Sequence, residues 1–390
     1  MNVTPIAPRG PERVRDALVR RGMSESKAAT AAQGLAPIAL FLDNMTPGDR
    51  DATAAAAHNQ GVESIAGHDW MLLSGSTSNL ASLLRSGSGH VAEAILHEIG
   101  QCLHDAVERP EFWVMQRGRL ALAGPIVVGI LNITPDSFSD GGEFSTADSA
   151  LRHAESMLQN GAGMLDIGAE STRPGRPEPV TAAEEWLRLE PVVSELARRH
   201  PAVPLSVDTV KSETARRALD AGAWAINDVS GLRFDPGIAD VCADRGAGLI
   251  LMHSRGPFAE MATYDHATYD DVVAETLLEL DRSVELAAAR RVRRESIVLD
   301  PGLGFSKRPE QNYEILKRLE SVVSRGYPVM VGPSRKRFLG AVTGKQAQER
   351  DVATAAACVA AYWEGASLLR VHAVGLVKEV MDVIEAIERA

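Results

Sequence analysis

The chain has 390 residues, 45% hydrophobic and 24% charged, a balance typical of soluble globular proteins and enough sequence for more than one core. A formal net charge of −11 speaks against a general nucleic-acid binder or a partner of anionic membrane surfaces, but not against a small anionic substrate met by a local cluster of cations. No run is long and apolar enough to span a bilayer, and Pro5, Pro8 and Pro11 interrupt the stretch where a signal peptide needs its apolar core.

In chain order, residues 12–33 read as a helix with Val14, Leu18, Val19 and Met23 on one face. An alanine-rich helix over 49–60 follows, then a short strand at 70–73, a helix over 79–84 and an amphipathic helix over 91–107. Residues 1–110 carry no clustered His, Cys or carboxylate set and no phosphate loop. They read as a small appended α/β or mostly helical domain whose role the sequence does not state.

Residues 111–390 have a different rhythm. A short hairpin at 116–123 reads as a lid on the bottom of a barrel. Eight short, mostly apolar runs then each end on a polar residue. They are 126–131 before Asn132, 164–165 before Asp166, 205–207 before Asp208, and 224–226 before Asn227. The remaining runs are 249–252 before His253, 297–299 before Asp300, 329–331 before Gly332-Pro333-Ser334-Arg335-Lys336, and 368–369 before Arg370 and His372. Helical stretches lie between and after them, over 147–160, 182–200, 212–221, 269–291, 310–325, 351–364 and 374–389. Gly161, Gly222 and Gly326 stand where a glycine closes a helix. Strand–helix units in series predict a closed parallel (β/α)8 TIM barrel, a fold of about 250 residues whose chemistry sits at the C-terminal ends of the strands.

Those strand ends supply the candidate residues. The loop 132–142 (NITPDSFSDGG) is long and polar, as functional loops at this face often are, although a solvated loop explains it equally well in isolation. In the second loop, Thr172 and Arg173, braced by Pro174 and Gly175, suit an oxyanion; a surface salt bridge is the plainer alternative. Asp208, Asn227 and Asp300 converge on the mouth, where a buried carboxylate is costly unless a ligand pairs with it. Such a set suits a fused nitrogen heterocycle with adjacent donors. The plainer alternative for each Asp is a helix cap or a loop bond, which fits Asp228 better than Asp208 and Asp300 together. Arg335, Lys336 and Arg337 bring three cations to one mouth, and Arg370 and His372 alternate so that a strand would send both to one side as an anion clamp. Gly302-Leu303-Gly304-Phe305 lacks the third glycine and the strand context of a dinucleotide fingerprint. Cys102, Cys242 and Cys358 form no CxxC and read as small buried hydrophobes of a reduced, cytosolic protein.

Taken together, GILNITPDSFSDGG (129–142), DIGAESTRPG (166–175), SVDT (206–209), NDVSG (227–231), LMH (251–253), DPGLGFSK (300–307), SRK (334–336) and RVHAV (370–374) resemble the dihydropteroate synthases, the folate-pathway enzymes that sulfonamides inhibit. The first two stretches are highly specific and the order is that of the family, over the whole barrel. The resemblance implies a Mg2+-dependent transferase that joins 6-hydroxymethyl-7,8-dihydropterin diphosphate to 4-aminobenzoate, giving 7,8-dihydropteroate and pyrophosphate. It matches Asp208, Asn227, Asp300 and Lys336 to the pterin pocket, with Met252 and Phe305 lining pockets for the rings. It matches Asn132 to the metal and pyrophosphate contact, and Arg370 and His372, with Thr172, to the diphosphate. Asp140, Thr172, Arg173 and Lys336 take the catalytic roles, Asp140 facing the developing methylene cation. The same resemblance implies a homodimer, two loops (134–142 and 171–175) that close over the diphosphate, and ordered binding of 4-aminobenzoate. Ala373 departs from the family's RVHD pattern. Two other readings stand beside this one: a pterin-binding methyltransferase barrel, which needs no diphosphate clamp, and a non-catalytic paralogue, which would not need to keep Asn132, Arg173 and Lys336.

Overall fold

The computed structural model describes residues 110–133, 146–170 and 180–389 of the C-terminal part. In the N-terminal part it describes 19, 23–28, 31, 37–42, 44–86 and 91–107. The chain divides into two compact units, Met1–Glu108 and Arg109–Ala390.

In the N-terminal unit β1 (Pro37–Leu42), β2 (Glu63–Ala66) and β3 (Met71–Ser76) form an antiparallel sheet in the order β1-β3-β2. Helices α1 (Pro47–Asn59), α2 (Thr77–Ser86) and α3 (Glu93–Val107) accompany it. Thr46 caps α1 by accepting from the Asp49 N–H. Met71, Leu73, Leu80, Leu83, Ile99 and Leu103 form a core of the unit's own. The unit is therefore α/β, with two strands, β1 and β2, beyond the one expected from sequence.

The second unit opens with the hairpin β4 (Phe112–Met115) and β5 (Gly118–Ala121), which starts four residues earlier than the pattern suggested. Eight parallel strands follow: β6 (Ile126–Asn132), β7 (Met164–Gly168), β8 (Leu205–Asp208), β9 (Ala225–Asp228), β10 (Gly248–Met252), β11 (Ile297–Asp300), β12 (Met330–Val331) and β13 (Leu368–Val371). They run in the order β11-β10-β9-β8-β7-β6-β13-β12, and a single parallel bridge, Leu299 to Val329, closes the ring between β11 and β12. The surrounding helices are α4 (Thr146–Gln159), α5 (Ala182–Arg199), α6 (Ser212–Ala221), α7 (Gly237–Arg245), α8 (Val272–Ala289), α9 (Pro309–Lys317), α10 (Glu320–Val323), α11 (Arg337–Thr343), α12 (Asp351–Trp363) and α13 (Val374–Arg389). This is the expected TIM barrel. The stretch 310–325 is two helices rather than one, and α7 and α11 are additions to the sequence reading.

Two apolar layers hold the barrel. Between strands and helices lies the main core, built from residues such as Leu131, Leu165, Leu189, Val207, Leu251 and Phe338. Inside the ring, Ile126, Val128, Met164, Ala225, Ile250, Val298, Met330 and Leu368 form a second layer from the early positions of seven strands. Trp113 of the hairpin is fully buried against this layer, and its indole Nε1 donates to the Ser296 carbonyl at 2.8 Å. The barrel bottom is thus plugged, and polar groups gather at the other end.

Candidate functional site

Register sets the first tier of the site. Asn132 is paired with Gly168, Gly168 with Asp208, and Asp208 with Asn227, so four neighbouring strands carry these residues at one level. Gly168 keeps that level open: a Cβ built there would lie 3.5 Å from the Asp208 Cβ and 3.7 Å from Asn132 Oδ1. Asn132 and Asp208 therefore border the same space. Across the ring, Met252 is paired with Asp300.

Below this tier lies Asp166, fully buried and without an assigned role in the sequence reading. It accepts from Ser206 Oγ at 2.5 Å, from Asn227 Nδ2 at 3.0 Å and from Arg370 Nε at 2.5 Å. The signal for it was present: a carboxylate inside the apolar run of β7. Asp166 orients the Asn227 amide, so that Asn227 Oδ1, buried and without a partner among the described residues, is left as an open acceptor. Arg370 also donates to Asp208 at 2.9 Å. Burial pushes the Asp208 carboxyl up, and Arg370 pulls it back down.

The cation cluster expected at the mouth is sorted differently. Arg335 forms a two-point ion pair with Asp351, at 2.7 and 2.8 Å. Arg337 bonds the Ala262 carbonyl and lies 4.4 Å from the Tyr264 ring centroid. Arg335 precedes α11 with a left-handed φ of 57°, and Arg337 is the first residue of that helix. Lys336 instead stacks on an aromatic ring, its Nζ 3.8 Å over the centroid of Phe305. Gly304 makes this approach possible, since a Cβ there would stand 2.7 Å from Lys336 Cδ. Burial first, then Arg370, pushes Lys336 down to about 7. Arg370 itself sits between Asp166 and Asp208 rather than facing outward alone, and His372 Nδ1 lies 2.9 Å from Ser334 Oγ.

Asp300 ends β11. Its Oδ1 accepts from the Gly302 N–H at 2.7 Å, and burial pushes its carboxyl up to about 6, against Gly302, Lys336, Arg370 and Lys307. Met252 and Phe305 share one apolar cluster with Val210, Val229 and Met261. Asp228, by contrast, serves its own loop, accepting from Ser230 and Leu232, as the plainer alternative had it. Glu170, at the foot of the second loop, accepts from the Val180 N–H and from Lys211. Asp140, Thr172 and Arg173, and the two loops 134–142 and 171–175 expected to close, lie outside the described residues. So does the side chain of Cys102. Cys242 and Cys358 are buried free thiols, pushed up by that burial, Cys358 to about 12, which excludes them as thiolate nucleophiles near neutral pH.

Carboxylates, an open amide acceptor and a lysine over an aromatic ring thus meet above a sealed barrel floor. The family model described as pterin binding enzyme matches residues 128–372, which spans all of these groups. The chain belongs to the pterin-binding enzymes. Within that family its relatives include the dihydropteroate synthase of Synechocystis sp., 43% identical over 264 residues, which cover 67% of this chain and 90% of the relative. The Bacillus subtilis dihydropteroate synthase is 40% identical over 261 residues, 67% of this chain and 88% of the relative. Among solved structures, the Xanthomonas albilineans dihydropteroate synthase with 4-aminobenzoic acid aligns with a TM-score of 0.65 at 41% identity, covering 70% of this chain and 96% of that one. The same enzyme in complex with 7,8-dihydropteroate aligns at 0.63 and 39% identity, covering 70% and 97%. The family match starts at residue 128, so the N-terminal unit lies outside this pterin-binding region.

Proposed function

We propose that this chain is a dihydropteroate synthase: it condenses 6-hydroxymethyl-7,8-dihydropterin diphosphate with 4-aminobenzoate to give 7,8-dihydropteroate and pyrophosphate. The observation that carries the reading is Asn227. A buried amide whose oxygen has no partner among the described residues is expensive unless a ligand supplies the donor, and a pterin edge does so. Asp300 and Asp208 offer carboxylates to the remaining ring N–H groups, and Lys336, stacked on the Phe305 ring, stands beside them as a further donor.

In the reaction the methylene C–O bond to diphosphate breaks and a C–N bond to the arylamine forms. The amine loses one proton, and the C–O electron pair leaves on pyrophosphate. The neutral arylamine needs no strong base. Positive charge growing on the methylene is spread into the pterin ring, where ionised Asp300 favours it. Arg370 and His372 are assigned to the departing phosphates. For Arg370 this means exchanging carboxylate partners for phosphate oxygens, which its forked donor set permits. Asp140, Thr172 and Arg173 keep the roles that the family pattern implies.

Mg2+ is assigned to Asn132. Among the described residues no group of three His, Cys, Asp or Glu stands close enough to hold a metal. A lone amide oxygen at the mouth suits a cation that arrives with the diphosphate rather than one in a protein cage. When bound, the ion neutralises the oxygens that leave as pyrophosphate. We also assign the chain to the cytoplasm and to a homodimer, the latter supported by exposed Val342, Val352, Trp363, Val383 and Ile387 on three consecutive helices.

The deciding assay is pyrophosphate release from the pterin diphosphate. Release that requires 4-aminobenzoate and stops in excess chelator is expected. Absence of release, or equal release without the amine, overturns the synthase reading, and full activity in chelator overturns the metal assignment.

A further inference from the structure

Behind Asp300 lies a chain of polar side chains drawn from three elements. Arg255 donates to Glu279 Oε1 at 2.9 and 2.5 Å, Glu279 Oε2 lies 3.0 Å from His253 Nε2, and His253 Nδ1 lies 2.8 Å from Lys307 Nζ. Lys307 is 1% exposed and its Nζ also donates to the carbonyls of Gly302 at 3.3 Å and Phe305 at 3.2 Å. Those two carbonyls delimit the turn after β11. The Gly302 N–H is the one that Asp300 accepts, and the Phe305 ring lies under Lys336. The turn is tightly seated: Gly302 has a φ of 70°, and a Cβ there would come within 1.9 Å of the His253 carbonyl oxygen.

The protons along this chain can be assigned from its far end. Burial pushes Glu279 up, but bonds from His253 and Arg255 outweigh it and hold the carboxyl at about 2. A carboxylate only accepts, so His253 Nε2 carries its proton and Nδ1 is left as an acceptor. Lys307 must then donate to Nδ1, and with two carbonyls beside it the three acceptors match the three protons of an ammonium group. Burial pulls Lys307 down to about 7, with Asp300 and Glu279 opposing that pull. The acceptor set keeps it protonated.

We propose that Lys307 is a positioning residue for the pterin-binding carboxylate: held from behind by Glu279 and His253, it grips both ends of the 302–305 turn and so sets Asp300 and the Phe305 ring, while its charge keeps Asp300 ionised. This rests on Asp300 being a pterin ligand. The charged groups facing Asp300 are Lys307 from its own loop, Lys336 from the loop after β12 and Arg370 from β13. His253, Arg255 and Glu279 stand behind Lys307.

The test is calorimetric titration of the full chain with 6-hydroxymethylpterin between about pH 5 and 8.5, with melting temperatures alongside. It compares the natural chain with Lys307→Met and Glu279→Gln. The acid limb of binding is expected to move up by about one pH unit in Lys307→Met, so that affinity falls about fivefold at pH 6, about tenfold towards pH 5 and far less at the alkaline end. Glu279→Gln, altered at a partly exposed side chain well away from the ligand, is expected to move the limb the same way by less. A loss of equal size at every pH, or no loss, overturns the proposal. If Lys307→Met does not fold, an unmoved limb in Glu279→Gln does so. A natural chain that fails to bind the pterin at any pH overturns the synthase reading instead.

Discussion

Asp300 shows how one residue trades folding for binding. Its carboxyl is pushed up to about 6 by burial, above an unfolded value near 3.9. A carboxyl raised on folding contributes stability in its protonated form, fully present below about 4 and lost as pH rises through about 6. At neutral pH the ionised group is therefore a cost to the fold and an asset to the ligand. Asp300→Ala is expected to lower pterin affinity by about 1.5–3 kcal/mol, the worth of hydrogen bonds to a charged group, with little loss of melting temperature. Calorimetry beside a thermal melt checks it, and unchanged affinity rejects Asp300 as a pterin ligand. At this scale Asp208, Asn227 and Asp300 were legible in the sequence, because a polar residue directly after an apolar barrel run faces the mouth; Lys336, five positions beyond Val331, was set in the pterin pocket by the family resemblance alone. His253 ends the apolar run 249–252 and was legible as a strand-end residue, but its partners Lys307 and Glu279 were not: the contacts span 54 and 26 positions, and neither partner carries a local pattern that announces it. The partners of Arg335 and Arg337 were hidden for the same reason: a run of three cations says nothing of which way each side chain turns.

Among the elements, helix starts differ in how they are finished. Thr181 and Glu184 form a reciprocal capping box on α5, and Asp271 accepts two N–H groups at the start of α8. At α13 the carbonyl of Ala373 accepts from the Val377 N–H, as a cap residue's carbonyl does, but alanine has no side-chain acceptor for the first turn. Ala373→Asp is expected to add about 0.5–2 kcal/mol of stability and leave turnover within a few-fold. A melt and steady-state kinetics on both forms decide it. A large gain in turnover without a gain in melting temperature means instead that an acid here orients His372. The elements that were legible are those with strong periodicity or long apolar runs: β6, with six consecutive buried residues, and the helices α5 and α13. Short or interrupted ones were not. β12 is two residues long, α7 has nine, and Arg318-Leu319 breaks an apparently continuous helix into α9 and α10.

For the whole molecule, the N-terminal unit has its own core, and the Synechocystis relative matches over 90% of its length while this chain contributes 67% of its own. Removal of residues 1–108 is thus expected to leave a folded barrel with kcat/KM within about threefold of the full chain, since separate cores seldom depend on each other for folding. Circular dichroism and the pyrophosphate assay on the truncated chain measure this; an unfolded product assigns the unit a part in folding, and a folded but inactive one a part in catalysis. The barrel was legible from its eight punctuated runs; the sheet of the appended unit was not, because its β2 is exposed throughout and carries no alternation. Trp113, sealed against the floor of the barrel, has a consequence for traffic. With one end corked, everything enters and leaves by the same door, and the group seated deepest is the last one out. The pterin moiety of the product occupies the place that the next pterin diphosphate needs. Dihydropteroate should therefore compete with that substrate in the steady state, and turnover at high flux should be governed by how quickly the finished product vacates the end opposite Trp113.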